Sequence, residues 1–130
     1  MRSRFLATVT ACAAVAAVPL AMPQGKTATL RLTESEWGIT GVPATVAAGT
    51  KLAVSVTNHG AVMHELVLEK GGCVKQCAVQ LAGRNLELEN LSPGATKSAV
   101  WTILKPGTYT FTCRKPGHWK AGMHQTFVVT

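Results

Sequence analysis

From residue 25 onward the chain alternates apolar and polar residues at a period of two. Ala28, Leu30 and Leu32 alternate with Thr27, Thr29 and Arg31, and Leu52, Val54 and Val56 with Ala53, Ser55 and Thr57. Ala99, Trp101 and Ile103 share one side of the next such run, and Tyr109, Phe111 and Cys113 one side of another. His64-Glu65-Leu66-Val67-Leu68 forms a short apolar stretch, and Gln125 to Thr130 a closing β-rich one. Period-two alternation with β-branched and aromatic residues predicts strands. Turn residues separate these runs at Gly41-Val42-Pro43, Ala48-Gly49-Thr50, Gly71-Gly72, Ser92-Pro93-Gly94 and Lys105-Pro106-Gly107. Only Cys77 to Asn85 is expected to hold a helical turn or irregular loop. Short strands at this spacing predict an all-β fold, an antiparallel β-sandwich.

The first 21 residues read differently. Arg2 and Arg4 precede an apolar run from Phe5 to Val18, followed by small residues. A charged start, a short apolar middle and small residues at its end predict a secretory signal peptide. The run is shorter than the roughly 20 apolar residues of a membrane span. Cleavage near Ala17 or Ala21 would leave about 110 residues, with the folded domain over 27–130. The mature chain is therefore expected outside the cytoplasm, in a periplasm-like compartment, without a membrane span. Cys12, in Val9-Thr10-Ala11-Cys12, resembles a lipoprotein cleavage box, so a lipid anchor and an uncleaved N-terminal anchor are the alternatives to a free mature chain.

The chain of 130 residues carries a formal charge of +7, which falls to +5 without Arg2 and Arg4. All acidic residues are Glu, and the basic residues are scattered. No basic run or motif points to nucleic acid. A moderately cationic surface favours an acidic protein partner or an anionic surface. Three cysteines follow the leader: Cys73, Cys77 and Cys113. Export makes a Cys73–Cys77 disulfide the expected state, with a soft Cu(I)-docking pair near Met63 as the alternative. Cys113 is then odd, and metal ligation is one explanation for an odd cysteine in an exported protein.

Chemistry concentrates near the C-terminus, in Tyr109-Thr-Phe-Thr-Cys113-Arg-Lys-Pro-Gly-His118-Trp-Lys-Ala-Gly-Met123. One loop thus carries a thiolate, an imidazole and a thioether. Cu(II) favours imidazole and Cu(I) favours sulfur, and a His2Cys set with a weak axial Met serves both. A second imidazole must come from His59, His64 or His124. His64 opens a strand, and a strand end places a side chain rigidly. His124 adjoins Met123, and neighbours in an extended segment point oppositely, so Met123 is the expected axial group. The carbonyl of Val62 or Met63 is a further candidate opposite it.

Two stretches, Asn58-His-Gly-Ala-Val-Met-His64-Glu-Leu-Val-Leu and Tyr109 through Met123 ending in Gln125-Thr-Phe-Val-Val, resemble the cupredoxin family, in particular its small plastocyanin/azurin-like and rusticyanin-like members. Met63 departs from the proline that related sequences often carry before the histidine. The resemblance implies a Greek-key β-sandwich and one copper ion cycling between Cu(I) and Cu(II). It assigns His64, Cys113, His118 and Met123 as ligands, and single-electron exchange with a donor and an acceptor protein as the task. A periplasmic copper chaperone or buffer is the alternative. A monomer is expected. An enzyme is not, since enzymatic copper proteins of this lineage use further copper sites or domains.

Around the site, Pro116, Gly117, Trp119, Ala121 and Gly122 are expected to form an apolar patch at His118, rimmed by Arg114, Lys115 and Lys120. Trp37 and Trp101 are expected in the core. Glu65 either orients the ligand loops or faces water.

Overall fold

A computed structural model describes residues 25–71, 77–103 and 105–130. The expected leader with Cys12, and Cys73, lie outside the described residues. Eleven strands and one short helix follow one another: β1 (Thr27–Ser35), β2 (Gly38–Thr40), β3 (Thr45–Val46), β4 (Lys51–Asn58), β5 (His64–Lys70), β6 (Gln80–Leu81), β7 (Arg84–Asn85), β8 (Glu87–Leu91), β9 (Thr96–Thr102), β10 (Gly107–Thr112), α1 (His118–Ala121) and β11 (His124–Val129). One sheet has the order β2-β1-β4-β9, the other β3-β11-β10-β5-β8, and β6 with β7 forms a small hairpin.

The two sheets form the expected β-sandwich. Most neighbours are antiparallel, but β1 pairs with β4 and β3 with β11 in parallel. Parallel neighbours require a crossover. Here the chain leaves β1 through β2, pairs β3 with the opposite sheet, and returns to lay β4 beside β1.

The period-two runs bury the faces they predict. Leu30, Leu32, Leu52, Val54, Val56 and Trp101 of one sheet meet Leu66, Leu68, Phe111, Phe127 and Val129 of the other in one core cluster. Phe111 stacks on Phe127 with ring centroids 5.2 Å apart, and on Trp101 at 6.3 Å. Each such large side chain removed from water contributes about 1.5–3 kcal/mol. The sandwich thus has one continuous, close-packed core.

Two local features differ from the expectation. Residues 80–85 form the β6–β7 hairpin, because Ala82 (φ 51°) and Gly83 (φ 76°) both adopt the left-handed turn conformation. The second is a bulge opposite His64. His64 pairs with Leu91 and Leu66 with Leu88, so β8 carries one residue more than β5 there. Asn90 (φ 52°) absorbs it, as Asn does more readily than most residues. Bulges re-aim side chains, and this one lies beside His64.

Candidate metal centre

Asn58 ends β4 wholly buried. Its Nδ2 donates to the carbonyls of Val62 (2.7 Å) and Leu91 (2.9 Å), and its Oδ1 accepts from the Gly60 N–H (2.7 Å). The turn after β4 is thus closed on itself and tied to β8, which fixes where His64 starts β5.

Cys113 follows β10 directly. Its N–H donates to the Met123 carbonyl (3.0 Å), and the Met123 N–H to the His118 carbonyl (3.1 Å), so the loop is clasped at its base. Gly117 (φ 84°) and Gly122 (φ 117°) bracket α1 in conformations that L side chains rarely adopt. A Cβ on Gly122 would also press on the Trp37 carbonyl at 3.0 Å. The two glycines make the single helical turn that brings His118 back over Cys113.

The result is a convergence of donors. His64 Nδ1 lies 3.2 Å from His118 Nδ1, which lies 3.4 Å from Cys113 Sγ. The donor atoms of all three residues fall within 4.8 Å of one another. His64, Cys113 and Met123 are each 0 % exposed, whereas His118 is partly open to solvent. Met123 packs in the same core cluster as Cys113. His59 and His124 do not join the group: both are exposed, and His124 stacks on Trp119 with centroids 4.4 Å apart.

Burial pushes the Cys113 thiol above its ordinary value, with Glu34 and Glu65 adding to it against opposing hydrogen bonds. Desolvation, then the neighbouring His64, hold His118 below the ordinary imidazole value. Without metal, the pocket therefore favours a thiol and a neutral His118 imidazole. Two ring nitrogens and a sulfur this close together can share one metal ion. That donor chemistry, with a buried thioether on the same loop, fits copper.

Glu65 and Glu69 hold the residues after Cys113. Glu65 Oε1 accepts from the Arg114 N–H (3.2 Å), and its Oε2 lies 3.5 Å from Lys115 Nζ. The buried Glu69 accepts from Arg114 Nε at 2.6 Å. Glu65 therefore orients the ligand loop. Arg114 and Lys115 are ion-paired, and of the three expected rim cations only Lys120 has no ion pair among the described residues.

Three residues were not foreseen at the site. Trp37 is 48 % exposed, not in the core, and its ring stands edge-on to His118 at 5.0 Å. Its neighbour Glu36 places Oε1 3.3 Å from His64 Nε2. Asn58 stands out in the sequence only as the start of the stretch that leads to His64. Trp101, by contrast, is in the core as expected.

This β-sandwich with two imidazoles, a cysteine sulfur and a buried thioether at one end defines a class of copper proteins. The chain belongs to the cupredoxin-like domain family, whose family model matches residues 5–129. Copper is the cofactor of that family. The chain is similar to the copper-resistant cuproprotein CopI of Rubrivivax gelatinosus, at 32 % identity over 92 residues, or 65 % of this chain and 55 % of the relative. The chain thus spans about half the length of that curated relative. Among solved structures, the reduced auracyanin of Roseiflexus castenholzii superposes with a TM-score of 0.63 at 25 % identity, covering 82 % of this chain and 99 % of the other. Auracyanin A of Chloroflexus aurantiacus, a "blue" copper protein, gives 0.60 at 20 % identity, covering 80 % and 99 %.

No helix among the described residues is long and apolar enough to cross a membrane. Cys77 is disulfide-bonded, and Cys73, the partner its spacing suggests, lies outside the described residues.

Proposed function

We propose that His64, Cys113, His118 and Met123 hold one copper ion, and that the protein shuttles single electrons between redox partners outside the cytoplasm. The observation that carries this reading is the asymmetry of the site: three donors are fully buried on rigid strand ends and only His118 reaches the surface. Bound copper supplies a one-electron couple. The sandwich keeps the donors fixed in both oxidation states, so little rearrangement accompanies transfer. Burial of Cys113 and Met123 keeps water from the sulfur atoms. Electrons pass through the exposed edge of His118.

The surface there suits a brief encounter. Trp37, Val62 and Met63 are 48 %, 40 % and 43 % exposed, and Pro116 and Gly117 are open as well. Small contacts of this kind suit fast dissociation. Pairing of Arg114 and Lys115 leaves Lys120 as the main steering charge for an acidic partner. The disulfide at Cys77 supports an oxidising compartment, in keeping with a cleaved leader. No catalytic role is assigned.

A second reading is favoured by the likeness to a copper-resistant cuproprotein. In it the protein sequesters copper, and the exposed thioether of Met63 offers Cu(I) a first contact. Electron self-exchange of the copper-loaded protein, measured by NMR line broadening in mixtures of both oxidation states, separates the two. Fast exchange supports the carrier. Slow exchange with ready Cu(I) transfer to a chelator supports sequestration.

A further inference from the structure

The turn between β1 and β2 carries an acidic residue that reaches the most deeply buried imidazole from the side opposite Cys113. Glu36 Oε1 accepts from the Ala61 N–H (2.9 Å) and the Val62 N–H (3.1 Å), and lies 3.3 Å from His64 Nε2. Two backbone N–H groups and one ring nitrogen of His64 thus converge on one carboxylate oxygen. The space for it is made at Gly60, where any side chain would collide with the Glu36 carboxylate. A carboxylate is anionic at neutral pH and can only accept hydrogen bonds.

We propose that Glu36 is a positioning residue for the copper site: it fixes His64 as the Nε2–H tautomer, aims Nδ1 at Cys113 and His118, and through its charge favours Cu(II) over Cu(I). The proposal rests on the ligand set proposed above. An imidazole that donates one N–H to a carboxylate presents its other nitrogen as the lone pair and becomes a stronger base. A negative charge linked to the ligand stabilises the more highly charged ion. Removing such a partner typically lowers metal affinity about 10–100-fold. Cu(II) should lose more than Cu(I), and each tenfold fall in their affinity ratio raises the reduction potential by about 59 mV.

Two measurements test it. The first uses copper-free protein and two-bond 1H–15N correlation spectra of the histidine rings. Wild type and Glu36→Gln should both show His64 as the Nε2–H tautomer, since the amide oxygen still accepts. Glu36→Leu should show a mixture, and a single unchanged tautomer there would overturn the positioning role. The second is redox titration of the copper-loaded protein. Glu36→Gln should raise the potential by an amount equivalent to at least a tenfold fall in the Cu(II)/Cu(I) affinity ratio, and Glu36→Asp should restore most of it. Glu89→Gln removes an exposed charge on β8 that touches none of the ligands and should shift the potential less. An unchanged potential in Glu36→Gln, or an equal shift in Glu89→Gln, would overturn the proposal while the blue colour persists. Absence of the colour in wild type would instead sink the ligand set and leave the tautomer result standing.

Discussion

Glu34 continues the inward stripe of Leu30 and Leu32 along β1 and is 0 % exposed, with neither carboxylate oxygen hydrogen-bonded. Burial, with a smaller contribution from the negative charge of Glu65, raises its pKa from 4.5 to about 8. The folded chain therefore binds this proton more tightly than the unfolded chain. Stability linked to Glu34 is complete below about pH 4.5, falls as pH rises towards 8, and levels off above it. At about 1.36 kcal/mol per pH unit, the full span is on the order of 4–5 kcal/mol. That is a large share of the roughly 5–15 kcal/mol by which a domain is stable. Glu34→Leu keeps the volume and removes both the titration and the unpaired oxygens. Near pH 5 the variant should gain about 1–3 kcal/mol, the cost of an unpaired buried polar group. At pH 9 it should gain several kcal/mol more. Urea unfolding of copper-free, disulfide-intact protein from pH 5 to 9, followed by tryptophan fluorescence, gives the difference between the two curves. Taking that difference cancels the titration of His118 and leaves, of the Cys113 titration, only the part that the Glu34 charge causes. A difference that does not grow with pH, or a less stable leucine variant at pH 9, would refute the assignment of Glu34 as a buried acid.

Copper uptake should displace the Cys113 proton, because burial holds that thiol up while His118 is held neutral. Apparent affinity should then rise about tenfold per pH unit between pH 7 and 8, read by chelator competition, and a flat profile would contradict it. Lys120→Glu should slow reaction with an acidic partner at low salt more than Lys115→Glu, because Lys115 is already paired with Glu65. Stopped-flow rates across ionic strength check this, and equal effects would show that the pairing does not persist in solution. Trp37→Lys should slow transfer several-fold at every salt concentration without altering the copper spectrum, since it puts an unpaired charge in the contact core.

The core was legible because its strands carry their faces in plain alternation. Leu52, Val54 and Val56 on β4, and Tyr109, Phe111 and Cys113 at β10, needed no knowledge of the partner sheet. The convergence of Cys113 with His118 was legible because one loop holds both, and that of His64 because it opens a strand. Glu36 and Trp37 were not, because they reach the site through space, 28 residues before His64 in the case of Glu36. Trp37 looked like core on hydrophobicity alone, yet its turn projects it over His118. Glu34 did leave a signal. Carrying the Leu30-Leu32 alternation two residues further points it inward, against the polar nature of its side chain. The β6–β7 hairpin was hidden because Ala82, a poor turn residue, takes a positive φ there.

The central claim is that Cys113 gives copper a thiolate at the meeting point of His64 and His118. The most direct test is the visible spectrum of the Cu(II)-loaded, leader-free protein beside that of Cys113→Ser. The account predicts an intense thiolate-to-Cu(II) charge-transfer band in the wild type, and its loss in a variant that keeps the β-rich circular dichroism of the sandwich. A colourless wild type, or a serine variant that stays blue, would contradict it.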